Sequence, residues 1–173
     1  MRIALASDHA GYPLKEEIKA LLSEDPETPP GHTSVRDGHL STLRGHDLTD
    51  FGTYSTEAAD LSDYVHPAAR AVSEGEVDRA ILVDGVGYGS ALIANKLPGV
   101  YAAVCQDPFC AGLARSHSDT NVLCLGGKII GSALALEIVK VWMTTDFLVD
   151  QPKYRNRVDK VVQIAEMYVR RVP

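Results

Sequence analysis

Short apolar runs alternate with amphipathic segments along most of the 173-residue chain. Runs of this length are typical of strands that a parallel sheet buries on both faces. Segments whose apolar residues recur three and four positions apart predict helices between the strands. The pattern predicts five strands, at 2–7, 48–51, 80–83, 100–104 and 121–125, each followed by a helix.

Strands that alternate with helices predict a parallel sheet covered by helices on both faces. We therefore expect a doubly wound, three-layer α/β fold with five parallel strands, in a single domain spanning 1–173. Two segments stand apart from this pattern. Residues 26–46 have no sustained periodicity and predict a long loop insertion, whereas 153–173 predict a basic amphipathic helix.

Capping residues predict where two of the helices begin. Asp107 followed by Pro108 is typical of an N-cap and a first helical position, so a helix is expected from Pro108 to about Ser116. Residues 117–119 are then predicted to form a polar turn. Ser132 is expected to cap a further helix.

Composition argues against several classes of function. The formal net charge of −6 disfavours a broad nucleic-acid surface, and no apolar run approaches the length of a membrane span. Three cysteines without a CxxC pair indicate reduced, buried thiols in a cytoplasmic protein. These are Cys105, Cys110 and Cys124.

Three histidines, His32, His39 and His46, recur seven residues apart within the predicted loop insertion. A metal site would need this segment to be ordered and would need a further carboxylate ligand. We therefore interpret them as solvated loop histidines and expect no metal site.

A glycine-rich loop follows the third predicted strand. The strand ends on the carboxylate of Asp84, and every second residue of Gly85–Gly89 is glycine. Such a loop presents backbone N–H groups that suit a phosphate or a developing negative charge. Asp8 and His9 follow the first strand. Because the carboxyl ends of parallel strands share one edge of a sheet, we expect a ligand site there.

Five motifs occur in a particular order along the chain. They are Ser7-Asp8-His9-Ala10-Gly11, Asp63-Tyr64, the 84–96 loop ending in Ala94-Asn95-Lys96, Pro98-Gly99-Val100, and the stretch from His117 to Gly126. In this order they resemble the type B ribose-5-phosphate isomerase and galactose-6-phosphate isomerase family. The resemblance implies a Rossmann-like domain and aldose–ketose isomerisation of a sugar phosphate, by default ribose 5-phosphate, without metal or cofactor. It also implies a homodimer with an active site built from both subunits, and leaves a tetramer open.

The resemblance assigns roles to individual residues. Asp8 and His9 match a pair that contacts the sugar and its phosphate, and His117 matches the histidine that assists ring opening. The loop whose N–H groups hold the enediolate oxygen matches Gly85, Gly87 and Gly89.

Phosphate binding is assigned to two cations of the basic C-terminal segment. Arg157 matches one phosphate-binding arginine, and Lys153 matches the other, with Arg155 as a competing candidate because the spacing is shifted there. Within the glycine loop, Tyr88 and Ser90 lie where they could touch a ligand.

The chain departs from the family pattern at three positions. Asp84 stands where many members have the cysteine that moves the proton, Val86 replaces the loop threonine, and Ser118 replaces an asparagine. The glutamate that another branch uses is absent from 85–91. We predict Asp84 as the catalytic base, because a carboxylate can span both carbons and burial can raise its pKa. This role requires the loop N–H groups to face the substrate oxygen rather than Asp84.

Three other functions remain open at this stage. The substrate could be a tetrose, a hexose phosphate or a free sugar. The missing cysteine also fits a sugar-phosphate-binding protein that has lost catalysis. Gly85-x-Gly87, with Asp107 ending the next strand 22 residues later, mimics a dinucleotide-binding fingerprint, but its third glycine would fall at Ser90.

Overall fold

A computed structural model describes residues 1–23, 43 and 45–169. The elements, in chain order, are β1 (Arg2–Ser7), α1 (Tyr12–Leu22), β2 (Asp47–Asp50), α2 (Leu61–Ser73), β3 (Arg79–Asp84), α3 (Tyr88–Ala94), β4 (Ala102–Val104), α4 (Pro108–Ser118), β5 (Val122–Gly126), α5 (Ser132–Thr144) and α6 (Pro152–Val169). Most of the predicted loop insertion, with His32 and His39, lies outside the described residues.

The strands form one parallel sheet in the order β2-β1-β3-β5-β4. Ser7 pairs with Val83, and Val83 pairs with Leu125, so β1, β3 and β5 end side by side. After β2 the chain returns to the other side of β1 and forms β3, which makes the β1–β3 boundary a topological switch point. Ligands bind outside the carboxyl ends of the strands at such points.

Alternating strand residues pack against two separate helical layers. Ile3 and Leu5 of β1 lie in one core with residues of α1 and α5, whereas Ala4 and Ala6 lie in the other with residues of α2. Side chains on a strand alternate between the two faces, so strands buried on both faces read as continuous apolar runs. The prediction of a three-layer α/β fold with five parallel strands is confirmed.

Two predicted helix boundaries are wrong. Helix α4 continues to Ser118, and its C-cap, Asp119, adopts the left-handed conformation (φ 48°), so His117 lies in the last helical turn rather than in a polar turn. Helix α5 begins at Ser132 and its N-cap is Gly131; the Ser132 hydroxyl donates to Glu17 Oε1 at 2.9 Å and does not cap the helix. None of the helices traced in the described ranges is both long and apolar enough to cross a membrane.

Candidate active site

Three loops meet at the carboxyl edge of the sheet. Asp8 N–H donates to Val83 O at 3.3 Å, which places the loop after β1 against the end of β3. The turn after β5 joins them, because Lys128 N–H donates to Gly85 O at 3.0 Å. Loops from three adjacent strands therefore form one surface at the predicted site.

Close backbone approach at this edge depends on Gly11. A Cβ on Gly11 would lie 2.2 Å from Val83 O, a backbone atom that cannot rotate away. The Gly11 N–H also donates to Asp8 Oδ1 at 2.9 Å. Gly11 thus holds the Asp8 side chain in place while allowing the first loop to contact β3.

Gly11→Ala is expected to lower the free energy of unfolding by about 1–3 kcal/mol, because the new methyl group overpacks against the end of β3. Urea unfolding measures the change. Gly112, in the middle of α4, offers a matched control. The Cβ of Gly112→Ala would make an ordinary contact, 3.5 Å from Val141 Cγ1. Equal stability of the two variants would contradict the close approach at Gly11.

Asp8 and His9 both direct polar atoms to this edge. Asp8 is half-buried, and among the described residues only one of its carboxylate oxygens, Oδ1, accepts a hydrogen bond. His9 Nδ1 accepts from Ala59 N–H at 3.4 Å. A neutral His9 therefore carries its hydrogen on Nε2, where it can donate to a ligand.

Asp84 accepts four hydrogen bonds from its own loop. Val86 N–H and Gly87 N–H donate to Oδ1 at 2.7 and 2.6 Å. The Ser90 N–H and hydroxyl donate to Oδ2 at 2.8 and 2.6 Å. Burial raises the pKa of Asp84, but the hydrogen bonds from Ser90, Val86 and Gly87 outweigh it and hold that pKa below its usual value.

This geometry counts against the predicted role of Asp84 as the base. The side chain is 3% exposed, and its oxygens are occupied by four donors. The role of base requires the loop N–H groups to face the substrate oxygen. Those of Val86, Gly87 and Ser90 face Asp84 instead. In this structure Asp84 anchors the glycine loop, and its role as base stays an untested prediction.

The remaining loop residues differ in how they could meet a ligand. Ser90 is fully buried with both polar groups bonded to Asp84, so the expected ligand contact by Ser90 is not available here. Val86 is 40% and Tyr88 57% exposed, and Gln106 Nε2 donates to the Tyr88 hydroxyl at 3.4 Å. Gly87 has a φ of 85°, which favours glycine.

The other predicted site residues form a second cluster around α4 and α6. His117, Ser118 and Arg157 line a pocket of about 340 Å³. The His117 ring stacks on the ring of Tyr154, with centroids 3.9 Å apart and an interplanar angle of 14°. Lys153 Nζ and Arg157 Cζ lie 4.6 and 5.5 Å from the centroid of the same ring.

Of the two competing cations, Lys153 is the one that joins Arg157 on this ring. The structure gives Arg155 no such ring contact within the described chain; its side chain is exposed. This geometry favours Lys153 over Arg155 as the partner of Arg157.

One chain does not bring the two clusters together. Helix α4 begins after the carboxyl end of β4 and has 11 residues, a length of about 16 Å. Its last turn leads into Asn121, at the amino end of β5, where Asn121 N–H bonds to Tyr101 O. His117 therefore lies at the opposite end of α4 from the edge that carries Asp8.

Sequence reasoning missed Lys128 and Tyr154. Lys128 is exposed, and its Cδ lies 3.7 Å from the position of a Cβ built on Gly85, so its side chain borders the glycine loop. Lys128 follows the fifth predicted strand, so the sequence placed it at the carboxyl edge of the sheet. Only the strand order shows that β5 lies beside β3 and that Lys128 is therefore near the glycine loop. For Tyr154, the one signal was its position between two candidate phosphate-binding cations.

Two further predictions concern the burial of the three cysteines and the role of Asp107. Cys105 and Cys124 are buried, as predicted, whereas Cys110 is exposed and that prediction is wrong. Burial raises the pKa of the Cys105 thiol to about 12.

The Asp107 side chain accepts from Cys110 N–H at 2.7 Å as the N-cap of α4, which confirms the predicted cap. The dinucleotide interpretation needs this carboxylate to bind a ribose, and here the carboxylate caps the helix instead.

Known proteins resemble this one over nearly the whole length of the chain. The solved structure of ribose-5-phosphate isomerase B from Clostridium thermocellum superposes with a TM-score of 0.81 at 36% identity, covering 97% of this chain and 99% of that one. Ribose-5-phosphate isomerase B of Escherichia coli is 36% identical over 165 residues, 95% of this chain and 97% of the relative. A 4-deoxy-4-sulfo-D-erythrose isomerase from a Clostridium species is 35% identical over 157 residues, 90% of this chain and 87% of the relative.

The model of one protein family, described as Ribose/Galactose Isomerase, matches residues 3–161. The match spans both clusters, from Asp8 to Arg157. It confirms the resemblance and the expected enzyme class, an aldose–ketose isomerase. The chain belongs to the ribose/galactose isomerase family.

Proposed function

We propose that this protein interconverts an aldose phosphate and its ketose, with ribose 5-phosphate and ribulose 5-phosphate as the substrate pair. The observation that carries the proposal is the contact between the Asp8–His9 loop and the end of β3, where the glycine loop begins, at the β1–β3 switch point. An isomerase needs a proton carrier and a group that can stabilise an oxyanion. This edge offers a carboxylate in Asp8 and a positive charge in Lys128.

Isomerisation moves one proton from C2 of the aldose to C1 and a second from the C2 hydroxyl to the C1 oxygen, so that the carbonyl changes place through an enediolate. We assign the carrier to Asp8, whose Oδ1 is held by Gly11 and whose Oδ2 accepts no hydrogen bond from the described residues. The carboxylate takes the C2 proton and returns it to C1, so it ends the reaction as it began. Asp84 keeps the loop in shape beside it.

Lys128 supplies positive charge from the same chain, at the border of the glycine loop. No described carboxylate forms an ion pair with it, so its charge is available to a bound anion. Lys128→Ala is expected to raise KM for ribose 5-phosphate about tenfold and to leave thermal stability unchanged, because the side chain is exposed. Steady-state kinetics measures the effect, and an unchanged KM would contradict this role.

His117, Lys153 and Arg157 reach the glycine loop of a second copy in this proposal. The two clusters lie at opposite ends of α4 within one chain, which supports a homodimer whose active sites combine both subunits. A pair related by a two-fold axis would complete two equivalent sites. A cytoplasmic location agrees with the three free thiols.

Subunit mixing tests the shared site. Asp8→Asn and His117→Gln are each expected to be inactive when pure. A random mixture should recover about a quarter of wild-type activity, because half of the dimers are mixed and each mixed dimer has one intact site of two. No recovery, with mixed dimers demonstrated by tagged subunits, would place the whole site in one chain and contradict the proposal.

An assay of ketose formation from ribose 5-phosphate tests the substrate. The relatives include enzymes named for tetrose substrates, 4-deoxy-4-sulfo-D-erythrose and D-erythrulose 4-phosphate. The sulfo-erythrose therefore belongs in the same assay, and D-erythrulose 4-phosphate, itself a ketose, belongs in an assay of the reverse, aldose-forming direction. Ribose 5-phosphate is expected to have the highest kcat/KM, and a tetrose with a higher value would overturn the choice of substrate while keeping the isomerase class.

A further inference from the structure

Tyr154 is exceptional among the side chains of α6. It is 9% exposed, and the other described side chains of that helix are exposed or half-buried. One face of its ring is covered by the His117 imidazole at 3.9 Å, nearly parallel to it. Tyr154 is thus held against the end of α4.

The same ring carries two cations. Lys153 Nζ lies 4.6 Å and Arg157 Cζ 5.5 Å from its centroid, distances typical of cation–π contacts. Neither cation forms an ion pair with a carboxylate of the described chain. The electron-rich ring keeps two positive groups near His117 without a counter-ion, which leaves their charge for an anion.

The end of α4 is itself rigidly held. Arg115, which is 6% exposed, donates to Asp119 Oδ1 at 2.9 Å and to the Thr120 carbonyl, and it lies over the Trp142 ring. His117 is therefore fixed from the α4 side, and Tyr154 is the contact that relates it to the two cations of α6. Moving Tyr154 would change the position of the cations relative to His117.

We propose that Tyr154 is a positioning residue that aligns His117 with Lys153 and Arg157 to open the ring of a bound sugar phosphate. This inference rests on the proposed function. In ring opening the C1–O4 bond of ribose 5-phosphate breaks, the anomeric hydroxyl loses a proton and the ring oxygen gains one. His117 can mediate this proton transfer only when the phosphate fixes the sugar at a set distance from it.

Substrate chemistry separates ring opening from isomerisation. Ribulose 5-phosphate has its 5-hydroxyl esterified, so it cannot close a five-membered ring and is open-chain. Exchange of deuterium from solvent into ribulose 5-phosphate needs only the proton carrier and the glycine loop. Conversion of ribose 5-phosphate needs ring opening as well.

The test compares Tyr154→Leu with Tyr154→Phe. The leucine variant should lose about 10–100-fold in kcat on ribose 5-phosphate, the size of effect expected from a misplaced catalytic group, and keep deuterium exchange into saturating ribulose 5-phosphate within about twofold. Phenylalanine retains the ring and should restore most of the lost activity. Lys160→Ala, an exposed cation of the same helix, serves as control. Equal losses in both reactions, or no loss in either, would overturn the proposal.

A second measurement uses the wild-type protein. The His117 ring protons, identified by their loss in His117→Gln, should shift in the NMR spectrum when inorganic phosphate is added. This readout needs no turnover, so it still tests the cluster if Tyr154→Leu does not fold or if ribose 5-phosphate is not the substrate. The absence of any shift at saturating phosphate would contradict the alignment of His117 with the two cations.

Discussion

Asp8→Asn is expected to reduce kcat on ribose 5-phosphate about 10²–10⁴-fold, the range for loss of a general base. Asparagine has nearly the same shape, and its carbonyl oxygen can still accept from Gly11 N–H, so the loop should keep its conformation. What it lacks is the ability to take a proton from carbon. Steady-state kinetics measures the loss of turnover, and calorimetry measures whether the variant still binds inorganic phosphate.

Phosphate affinity should stay within about twofold of wild type in Asp8→Asn, because the phosphate is assigned to Lys153 and Arg157, which lie in the other cluster. Glu17→Gln offers a matched control, since it also removes one carboxylate and lies on α1, outside the candidate site. Near-normal turnover by Asp8→Asn would show that another group moves the proton.

Asp84→Asn is expected to destabilise the protein by about 3 kcal/mol. An amide has one acceptor oxygen where the carboxylate has two, so its NH₂ group must face donors on one side of the loop. The Ser90 hydroxyl can turn to accept, but the Ser90 N–H is left buried without a partner, and hydrogen bonds to a charged acceptor are lost. Urea unfolding at pH 7 measures the change.

Ser90→Ala is the graded control, because it removes one of the four donors and leaves the carboxylate in place. It should cost about 1–2 kcal/mol, less than Asp84→Asn. Asp84→Asn should also retain deuterium exchange into ribulose 5-phosphate at a reduced rate. A stable Asp84→Asn protein that has lost all exchange would instead establish Asp84 as the base.

The stabilising effect of Asp84 should depend on pH. Its folded-state pKa lies below the usual value, so the carboxylate stabilises the fold above the unfolded-state pKa of about 3.9. That contribution is lost as the pH falls through the lowered folded-state pKa. The stability difference between wild type and Asp84→Asn should therefore be full at pH 5–7 and shrink below about pH 4. A difference that does not vary with pH would contradict the lowered pKa.

Most of the fold was accessible from the sequence because the strands are buried on both faces. Continuous apolar runs such as 80–83 have few alternative interpretations when polar loops and amphipathic helices flank them. Helix ends were harder to place. Ser132 has the residue type of an N-cap, yet a partner across the molecule, Glu17, takes its hydroxyl. Such tertiary competition cannot be seen in local sequence.

The sequence predicted which residues lie at the candidate site but not how their polar groups are oriented. The sequence indicated that Asp84 and a set of N–H groups would be neighbours, and it identified the two directions in which those N–H groups could point. The choice depends on the backbone path of 85–90, including a positive φ at Gly87, which turns the donors onto the carboxylate. Lys128 and Tyr154 were missed because their roles arise from strand order and from helix packing.

Proton NMR of the pure protein with ribose 5-phosphate in deuterated water tests the proton-transfer account as a whole. We expect ribulose 5-phosphate to appear, with deuterium at C2 of the remaining ribose 5-phosphate, because the carrier exchanges its proton with solvent before the reverse step. The same experiment with tetrose phosphates covers a different substrate. Binding of these sugar phosphates without isomerisation or exchange would contradict the account and identify a binding protein built on an isomerase fold.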